Sequence, residues 1–553
     1  MKKILGAAVG SCVHTAGILN FLNIAKNSGF KTTFVGCSVD VDELKKAIRE
    51  FRPDIAGISY RLSPESAVGL FEQINREIIS REKKTIFVLG TTGSVSEALR
   101  AAGLLGGFSK VFTGGESAES VEKFLYDRKL ESLEDRILPQ NLLERMEFKR
   151  PFPLIRHHFG RPGLEETEEG IKEISDASAV DIVSLGPDQN AQEFFFEPQK
   201  MNRLQDGAGG VPVRSASDLR RLFKASRRGN WPIMRCYSGT NNIIKFAEIL
   251  LDSINNAWCA VPLCWYNELD GRSTRTLEDA VEENIRAVKW HADRGVPVEI
   301  NESHHWSLRY SHDAVAVASA YLAAHNAKKA GVKTYISQYM FNTPPETSFS
   351  MDLAKMLAKV EMIESLHDSS FKSLRQTRCG LYSMPPDFNK GKGQLASSTF
   401  LQMQLNPSII HVVAYCESSY AAKPDDIIES CSIVNKVIEN CLNGVPDMKN
   451  DRVVIKRKDM LVHEAGMIID KIKSLQKYAG RNFFEKSGDD DPLSNPEVIA
   501  YAVRTGVLDA PFLQFGGCEL GRVRTMFVNG ANYAADNGGN ILPEDERLSR
   551  IRP

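Results

Sequence analysis

The chain has 553 residues, of which 42% are hydrophobic and 25% charged, a composition typical of a globular protein with more than one domain. Its 69 basic and 70 acidic residues give a net charge of -1, which does not favour a nucleic-acid partner. No apolar run approaches the roughly 20 residues that span a bilayer, so we expect no membrane partner. Ten cysteines are scattered without disulfide or CxxC zinc spacing, which predicts reduced thiols and a cytoplasmic location. The N-terminal apolar run is interpreted as a first strand rather than a secretory signal.

Residues 1–128 alternate short apolar runs with amphipathic stretches. Each run is compact and followed by Gly, Ser or Thr, as is typical of buried parallel strands. The stretches between the runs carry apolar residues at helical spacing. This alternation predicts a doubly wound, Rossmann-like sheet whose ligand lies at the carboxyl ends of the strands. The predicted strands are KILGAAV, KTTFVG, DIAGISY, KTIFVLG and KVFTGG.

Three further regions follow along the chain. Residues 129–178 are charged and irregular, which predicts a linker with a helical lead-in. Residues 179–447 resume the strand–helix alternation and predict a (β/α)8 TIM barrel with its active site on the loops after the strands. Residues 448–553 predict a small C-terminal α+β module. The candidate barrel strands are AVDIVSL, GVPV, PIMRCY, AWCAVPLCW, PVEIN, KTYISQYM, RCGLYSM and SIIHVVAY.

Residues suited to contact a bulky ligand follow the strands of the first region. The first βα turn carries a histidine two positions after a cysteine, and small or hydroxylated residues follow the third, fourth and fifth strands. Small side chains let the backbone approach a ligand closely. Taken alone, a histidine in such a turn can equally be an incidental polar residue. The candidates are Cys12, His14, Thr15, Gly17, Ser59, Leu62, Gly90, Thr91, Gly114 and Gly115.

This pattern resembles the cobalamin-binding domain shared by methylmalonyl-CoA mutase, glutamate mutase and methionine synthase, whose signature is Asp-x-His-x-x-Gly, then Ser-x-Leu, then Gly-Gly. The resemblance implies that His14 coordinates the cobalt and that Gly17 leaves room for the nucleotide tail. Ser59 matches the signature serine, and Leu62 falls one position late. Cys12 replaces the aspartate that orients the histidine in the family, and a thiol is a poorer hydrogen-bond acceptor. A doubly wound domain without a corrin is the alternative. The residues implied to line the channel of the tail are Gly90, Thr91, Gly114 and Gly115.

The predicted barrel resembles the catalytic subunit of glutamate mutase in the run MRCYSGT at 234–240 and the later run Trp-Tyr-Asn at 265–267. The resemblance implies that Arg235 binds a substrate carboxylate, that Tyr266 contacts the substrate, and that Arg214 is a second arginine of the carboxylate claw. Arginine presents a rigid fork that suits carboxylates. The general-base glutamate of the family falls at Ala260 or its neighbours. We therefore expect either a substrate without the α-amino group or another residue in that role.

Polar residues after the strands PVEIN and SIIHVVAY are further candidates. Glu302, His304 and His305 lie just past the first of these, where barrel enzymes place catalytic groups. They could handle the substrate or its protons, bind a metal, or be structural; adjacent histidines rarely face one metal, and no third ligand is evident. Tyr415 and Glu417 lie near where the resemblance places the residues that hold the ribose of the adenosyl group.

Together these features predict an adenosylcobalamin-dependent radical mutase, an isomerase of a small carboxylic or amino acid, in which the cofactor supplies the difficult chemistry. The expected partners are a small acidic substrate and a second copy of the chain in a homodimer. One alternative is a corrinoid-dependent methyltransferase, which would normally carry a four-helix cap ahead of the cobalamin domain. Another is a non-catalytic corrinoid-binding protein, which would not need an arginine-lined barrel.

Overall fold

The computed structural model describes residues 2–116, 120–121, 124–125, 138–478, 491–513 and 521–551. The chain divides into two compact units, Met1–Ile137 and Leu138–Pro553. Residues 126–137, in which the predicted linker begins, lie outside the described part, as do 479–490 and 514–520 of the predicted C-terminal module. Within the described ranges, no helix combines the length and apolarity needed to cross a membrane.

The first unit contains a five-stranded parallel sheet in the order β2-β1-β3-β4-β5. Its central strands are apolar and buried because helices cover both faces of the sheet. Helix starts are capped locally; Asp40, for example, accepts a hydrogen bond from the backbone of Glu43. The strands are β1 Lys3–Ala8, β2 Lys31–Phe34, β3 Ile55–Ser59, β4 Ile86–Gly90 and β5 Phe108–Phe112. The helices are α1 Ala16–Asn27, α2 Val41–Phe51, α3 Pro64–Ile74 and α4 Gly93–Ala101.

The second unit is built around a near-closed barrel of eight parallel strands in the order β8-β7-β6-β13-β12-β11-β10-β9. The gap between the end strands is bridged by the backbone N–H of Ala257, which donates to the carbonyl of Met234 at 2.9 Å. The predicted fold, a Rossmann-like domain followed by a (β/α)8 barrel, is confirmed. The strands are β6 Leu154–Phe159, β7 Ile182–Leu185, β8 Ile233–Cys236, β9 Cys259–Val261, β10 Val298–Ile300, β11 Thr334–Phe341, β12 Lys372–Cys379 and β13 Ile409–Val412.

Helices follow the barrel strands and pack outside them. Their starts carry side-chain caps, such as Thr276 accepting from the backbone of Asp279 and Asp387 accepting from that of Lys390. The helices are α5 Leu142–Lys149, α6 Leu164–Asp176, α7 Gln189–Phe194, α8 Ala216–Ala225, α9 Ile243–Ile254, α10 Leu277–Ala292, α11 Ser303–Ser307, α12 Asp313–Lys329, α13 Phe349–Glu364, α14 Phe388–Gln402 and α15 Pro424–Leu442.

Two barrel strands differ from the prediction. The first strand is β6, in a stretch assigned to the linker, because its charged Arg156 and polar His158 hide the apolar pattern of a buried strand. The run GVPV was wrongly assigned as a strand; Val211 makes an isolated bridge to Pro187 in a loop. The seventh strand, β12, ends at Cys379, close to where the predicted RCGLYSM begins, because the strand itself is largely polar.

The C-terminal region adds helices and a hairpin to the barrel. Its apolar residues, such as Leu461 and Ile468, belong to the same hydrophobic core as helices α12 and α13. The hairpin turns at Asn529 and Gly530, both with positive φ, as a two-residue turn of this kind requires. The elements are α16 Arg452–Ser474, α17 Pro496–Arg504, β14 Arg524–Val528, β15 Ala531–Ala535 and α18 Glu544–Arg550.

Candidate functional site

A cavity of about 230 Å³ opens at the carboxyl ends of the barrel strands, where barrel enzymes bind their substrates. Its walls come from six or more strands and the loops that follow them. Most of the lining side chains are polar or cationic, which is unusual for a small-molecule pocket. The lining residues are Arg156, His158, Gln192, Arg235, Tyr237, Tyr266, Arg272, Asn301, His304, His305, Gln338 and Arg378.

The floor of the cavity is a buried ion cluster. Glu299 of β10 lies 3.6 Å from a terminal nitrogen of Arg156 and 3.7 Å from one of Arg235. The indole N–H of Trp258 donates to the same carboxylate oxygen at 2.7 Å. Arg156 also donates to Gln376 at 2.6 Å. The cluster therefore fixes two guanidinium groups side by side, because each is braced from below.

Arg235 retains unused hydrogen-bonding capacity. The residue is 1% exposed, yet its Nε and Nη1 atoms, which are buried, have no hydrogen-bond partner among the described residues. The Nε of Arg156 is in the same condition. Buried donors are nearly always paired in folded proteins, so such groups call for a ligand. An anion with two oxygens, such as a carboxylate, fits the fork of a guanidinium.

A histidine–tyrosine pair stands beside the floor. His158 Nε2 lies 2.8 Å from the hydroxyl of Tyr237 and 3.2 Å from Nη2 of Arg156. Burial, followed by the charges of Arg156 and Arg235, lowers the pKa of His158 well below its usual value. His411, whose ring meets that of His158 edge-on at 4.4 Å, has its pKa lowered for the same reasons, with burial again the largest. Both rings are therefore neutral at physiological pH.

Tyr266 and Arg272 form a second wall on the loop after β9. Tyr266 is held in the left-handed region at φ 68°, a conformation that is uncommon for a residue of its size. Its carbonyl accepts hydrogen bonds from Ser273 and Arg275, which stabilise that conformation. The guanidinium of Arg272 stacks over the Tyr266 ring at 4.6 Å, and its Nε lies 3.6 Å from Asp270. Burial raises the pKa of Tyr266 to about 12, so the phenol is neutral.

His304 and His305 of α11 complete the wall opposite. Their rings lie 4.3 Å apart, and Nδ1 of His304 is 3.1 Å from the amide nitrogen of Gln338. Burial, followed by Arg378 for His304 and by His304 for His305, lowers both pKa values well below the usual range. Within the described ranges, no three His, Cys, Asp or Glu side chains are grouped to hold a metal ion.

Four of the predicted residues thus line one cavity: Arg235, Tyr266, His304 and His305. Two others lie outside it. Glu302 is buried and accepts hydrogen bonds from the backbone of Leu263 and Cys264 and from Trp306, which makes it a brace for the loop after β9. Arg214 forms ion pairs with Asp188 and Asp206, so its guanidinium is already occupied by carboxylates.

The remaining predicted pair, Tyr415 and Glu417, also lies outside the cavity lining. The hydroxyl of Tyr415 donates to Glu429 at 2.6 Å. Glu417 accepts from the backbone of Ala414 at 2.8 Å and lies 3.1 Å from Nε2 of His157. Both residues therefore have protein partners within their own part of the barrel.

Sequence reasoning did not assign roles to several lining residues. Arg156 and His158 were missed because their strand was not recognised; the alternation in LIRHHF, which points both to one side, is the signal that could have found them. Arg378 occupies an equivalent place in β12. Arg272, Tyr237 and Gln192 lie in loops, where no periodic pattern marks them.

The carboxyl edge of the first sheet carries the predicted cobalamin residues. In the order β2-β1-β3-β4-β5, the strand order reverses between β1 and β3, and ligands of such sheets bind at this point. His14 is exposed in the turn after β1, and Cys12 beneath it is fully buried. The thiol lies 3.9 Å from Nδ1 of His14, within reach of a weak hydrogen bond. The imidazole therefore has a partner on one nitrogen and solvent on the other.

Small residues leave space along the same edge. An added Cβ at Gly17 or at Gly115 would meet no atom within 4 Å, so a ligand can approach the backbone there. Gly114 has φ +94°, which favours glycine. The other predicted residues have structural contacts, which are as follows: Thr91 donates its hydroxyl to the carbonyl of Tyr60, Ser59 accepts from the backbone of Val9, Leu62 packs against the core, Gly90 ends β4, and Thr15 precedes α1. An exposed imidazole beside an open glycine-lined edge fits a cobalamin.

Comparisons with known proteins agree on the first unit. Residues 2–121 match the model of the B12 binding domain, B12 being cobalamin. No curated protein sequence matches the chain. The chain therefore contains a cobalamin-binding domain, while the finer resemblance to glutamate mutase stays a prediction.

Three solved structures show limited likeness. A novel cobalamin-binding protein from Desulfitobacterium hafniense DCB-2 is 20% identical at a TM-score of 0.19, over 23% of this chain and 58% of that one. The cobalamin-dependent S-adenosylmethionine radical enzyme OxsB, with aqua-cobalamin and S-adenosylmethionine bound, is 12% identical at 0.17, over 91% and 72%. A glycoside hydrolase of the GH138 type, targeting pectin rhamnogalacturonan II, is 8% identical at 0.31, over 90% and 56%. At these TM-scores the likenesses carry no argument about function.

Proposed function

We propose that this chain is an adenosylcobalamin-dependent mutase that rearranges the carbon skeleton of a small carboxylic acid held in the barrel. One observation supports the substrate class most directly. Arg235 is buried at a barrel mouth with two unpaired donors, beside a second braced arginine. The B12 binding domain at residues 2–121 supports the cofactor class.

The residues of the first unit would hold the cofactor through its cobalt and its tail. His14 would be the ligand of the cobalt, with Cys12 as the weak partner of its other nitrogen. Gly17 and Gly115 would give the tail close access to the backbone. Adenosylcobalamin, when bound, supplies a carbon-centred radical that can abstract a hydrogen atom from a substrate.

The barrel residues bind and orient the substrate. Arg235 and Arg156 would hold a carboxylate through their free Nε and Nη donors. Tyr237 and the neutral His158 offer hydrogen bonds without a competing charge. Tyr266 and His305, whose rings meet edge-on at 5.7 Å, would restrict the rearranging part of the substrate and keep water out.

The function is tested with the purified chain, cobalamin and a set of small acids. We expect the chain to take up adenosylcobalamin, seen as a coloured complex, and a small carboxylic acid to produce a cobalt-coupled radical in electron paramagnetic resonance. A chain that stays colourless contradicts the proposal. Turnover of methylcobalamin without a radical would favour methyl transfer instead.

A further inference from the structure

We propose, as a refinement that rests on the function above, that the substrate of the barrel is a small dicarboxylate without an ammonium group. The inference comes from the balance of charges around the cavity and from the positions of its arginines. Two separate pairs of arginines face the cavity, and the described lining contains no carboxylate.

The cavity has an excess of positive charge. Four arginines line it, at positions 156, 235, 272 and 378. Glu299 lies against the two floor arginines, and Asp270 lies against Arg272. Two of the four guanidinium charges are thus balanced, and two are left for a ligand. A dicarboxylate supplies two negative charges, whereas an amino dicarboxylate supplies a net of one.

The two arginine pairs form separate anchors. Arg156 and Arg235 share Glu299 at the floor. Arg272 lies over Tyr266 on the loop after β9, and Arg378 ends β12. Arg378 donates its Nε to the carbonyl of Cys379, and no described residue pairs with its Nη groups. One carboxylate would bind at the floor and the other at the outer pair.

An ammonium group would find no anion in this cavity. Glu302 is occupied by backbone N–H groups and Trp306, and Glu417 lies against His157. The three lining histidines are neutral because burial lowers their pKa values. Asn301 offers a buried unpaired oxygen, but that oxygen carries no charge.

The position expected for a general base gives the same result. Cys259 and Ala260 of β9 stand where the resemblance places the glutamate that meets a substrate ammonium. Both are buried, and burial raises the pKa of the Cys259 thiol, so it remains neutral. A buried ammonium next to four guanidinium groups and without a counter-ion would be strongly disfavoured.

Three probes that differ by one group each test the inference. The full chain is titrated calorimetrically with glutarate, L-glutamate, which adds an ammonium, and butyrate, which lacks one carboxylate. We expect glutarate to bind at least about tenfold more tightly than either of the others, a difference of about 1.4 kcal/mol. Equal or tighter binding of L-glutamate or butyrate overturns the inference, as does a failure of all three to bind.

Variants of the outer arginines locate the second carboxylate. Arg272→Met and Arg378→Met should each weaken glutarate binding by about tenfold and leave butyrate binding unchanged, because butyrate uses the floor alone. Arg220→Met is the matched control, since Arg220 is an exposed arginine paired with Asp252 outside the barrel mouth. Unchanged glutarate affinity in both outer variants overturns the inference.

Uptake of cobalamin by the same preparation separates this inference from the proposed function. A preference for glutarate in a chain that takes up no cobalamin supports the inference and contradicts the mutase proposal. Cobalamin uptake combined with a preference for L-glutamate overturns the inference and leaves the mutase proposal standing.

Discussion

The hydroxyl of Tyr237 lies 2.8 Å from Nε2 of His158, and the two rings stack with their centroids 5.0 Å apart. Nη2 of Arg156 approaches the same nitrogen at 3.2 Å, and a guanidinium can only donate. Nε2 of His158 is therefore an acceptor, and its proton is on Nδ1. The pair presents a neutral imidazole and a neutral phenol to the cavity, although both lie among arginines.

The neutral histidines give a prediction about pH. A folded-state pKa that is lowered below the usual histidine value means that the rings stay uncharged as the pH falls through that value. Glutarate affinity should therefore be constant between about pH 8 and about pH 6. Calorimetry in buffers of matched ionic strength checks this. An affinity that rises as the pH falls would show that one of these histidines gains a proton in that range.

Replacement of the floor arginine should remove most of the binding. Arg235→Met should weaken binding of an acidic ligand by roughly 2–5 kcal/mol, as expected for a desolvated charge pair. Arg235→Lys keeps the charge but loses the fork and should recover only part of the affinity. Circular dichroism should confirm that both variants fold. Unchanged affinity in Arg235→Met would place the ligand elsewhere.

Replacement of the exposed turn histidine should change the bound cofactor. His14→Ala should remove the nitrogen coupling from the electron paramagnetic resonance spectrum of the cobalt(II) form. His463→Ala is the matched control, because His463 is an exposed histidine of α16 in the second unit. If the unmodified chain binds cobalamin but shows no nitrogen coupling, the thiol of Cys12 does not support ligation.

The C-terminal hairpin is tied to the barrel by a buried ion cluster that stability measurements can probe. Asp313 accepts from Arg457 at 3.0 Å and from the backbone of Asn532 at 3.1 Å, and Lys355 lies 3.4 Å away. Arg457→Met should lower the free energy of unfolding by about 3–5 kcal/mol, since it removes one partner of a buried pair. The exposed pair of Arg286 and Glu282 provides the control: Arg286→Met should leave the urea midpoint nearly unchanged.

Glu544 should contribute to acid unfolding. Burial alone would raise its pKa, but His312 at 2.9 Å and Arg547 at 2.6 Å lower it to about 2. A lowered folded-state pKa gives stability that is present above about pH 4.3 and is lost as the pH falls towards 2, to the extent of about 3 kcal/mol.

Glu544→Gln tests this contribution. The variant should be less stable than the unmodified chain at neutral pH, and the difference should shrink as the pH falls from about 5 to about 2.5. Urea unfolding at several pH values measures the difference. A constant difference across this range would show that Glu544 does not titrate with folding.

The elements that sequence could predict are those whose burial is apolar on both faces. All five strands of the first sheet were predicted, because runs such as IAGIS and IFVLG have no polar position. The barrel strands that build the cavity turn alternate side chains into a polar interior. In β6 these are Arg156 and His158, and in β12 Arg378, so the strands lack the apolar run that the prediction used.

The site shows the same division. Arg235 was predicted because the motif around it resembles a known one. Arg214 also ends a run that resembles a strand, but the partners that occupy it, Asp188 and Asp206, lie 26 and 8 positions away and could not be read from its neighbours. Glu302 lies where catalytic groups are expected, yet it hydrogen-bonds to backbone about 40 positions earlier. Pairing across strands decides which charges remain free.

The carboxylate of Glu299 joins side chains from three separate strand segments: Arg156 of β6, Arg235 of β8 and Trp258 just ahead of β9. An engineer who wished to retune this barrel would therefore have to leave the base of the pocket intact, because altering one member strands the others without a counter-charge. Arg272 and Arg378 carry no such obligation. New ligand preferences should be sought at that rim, by combinatorial libraries at these two positions.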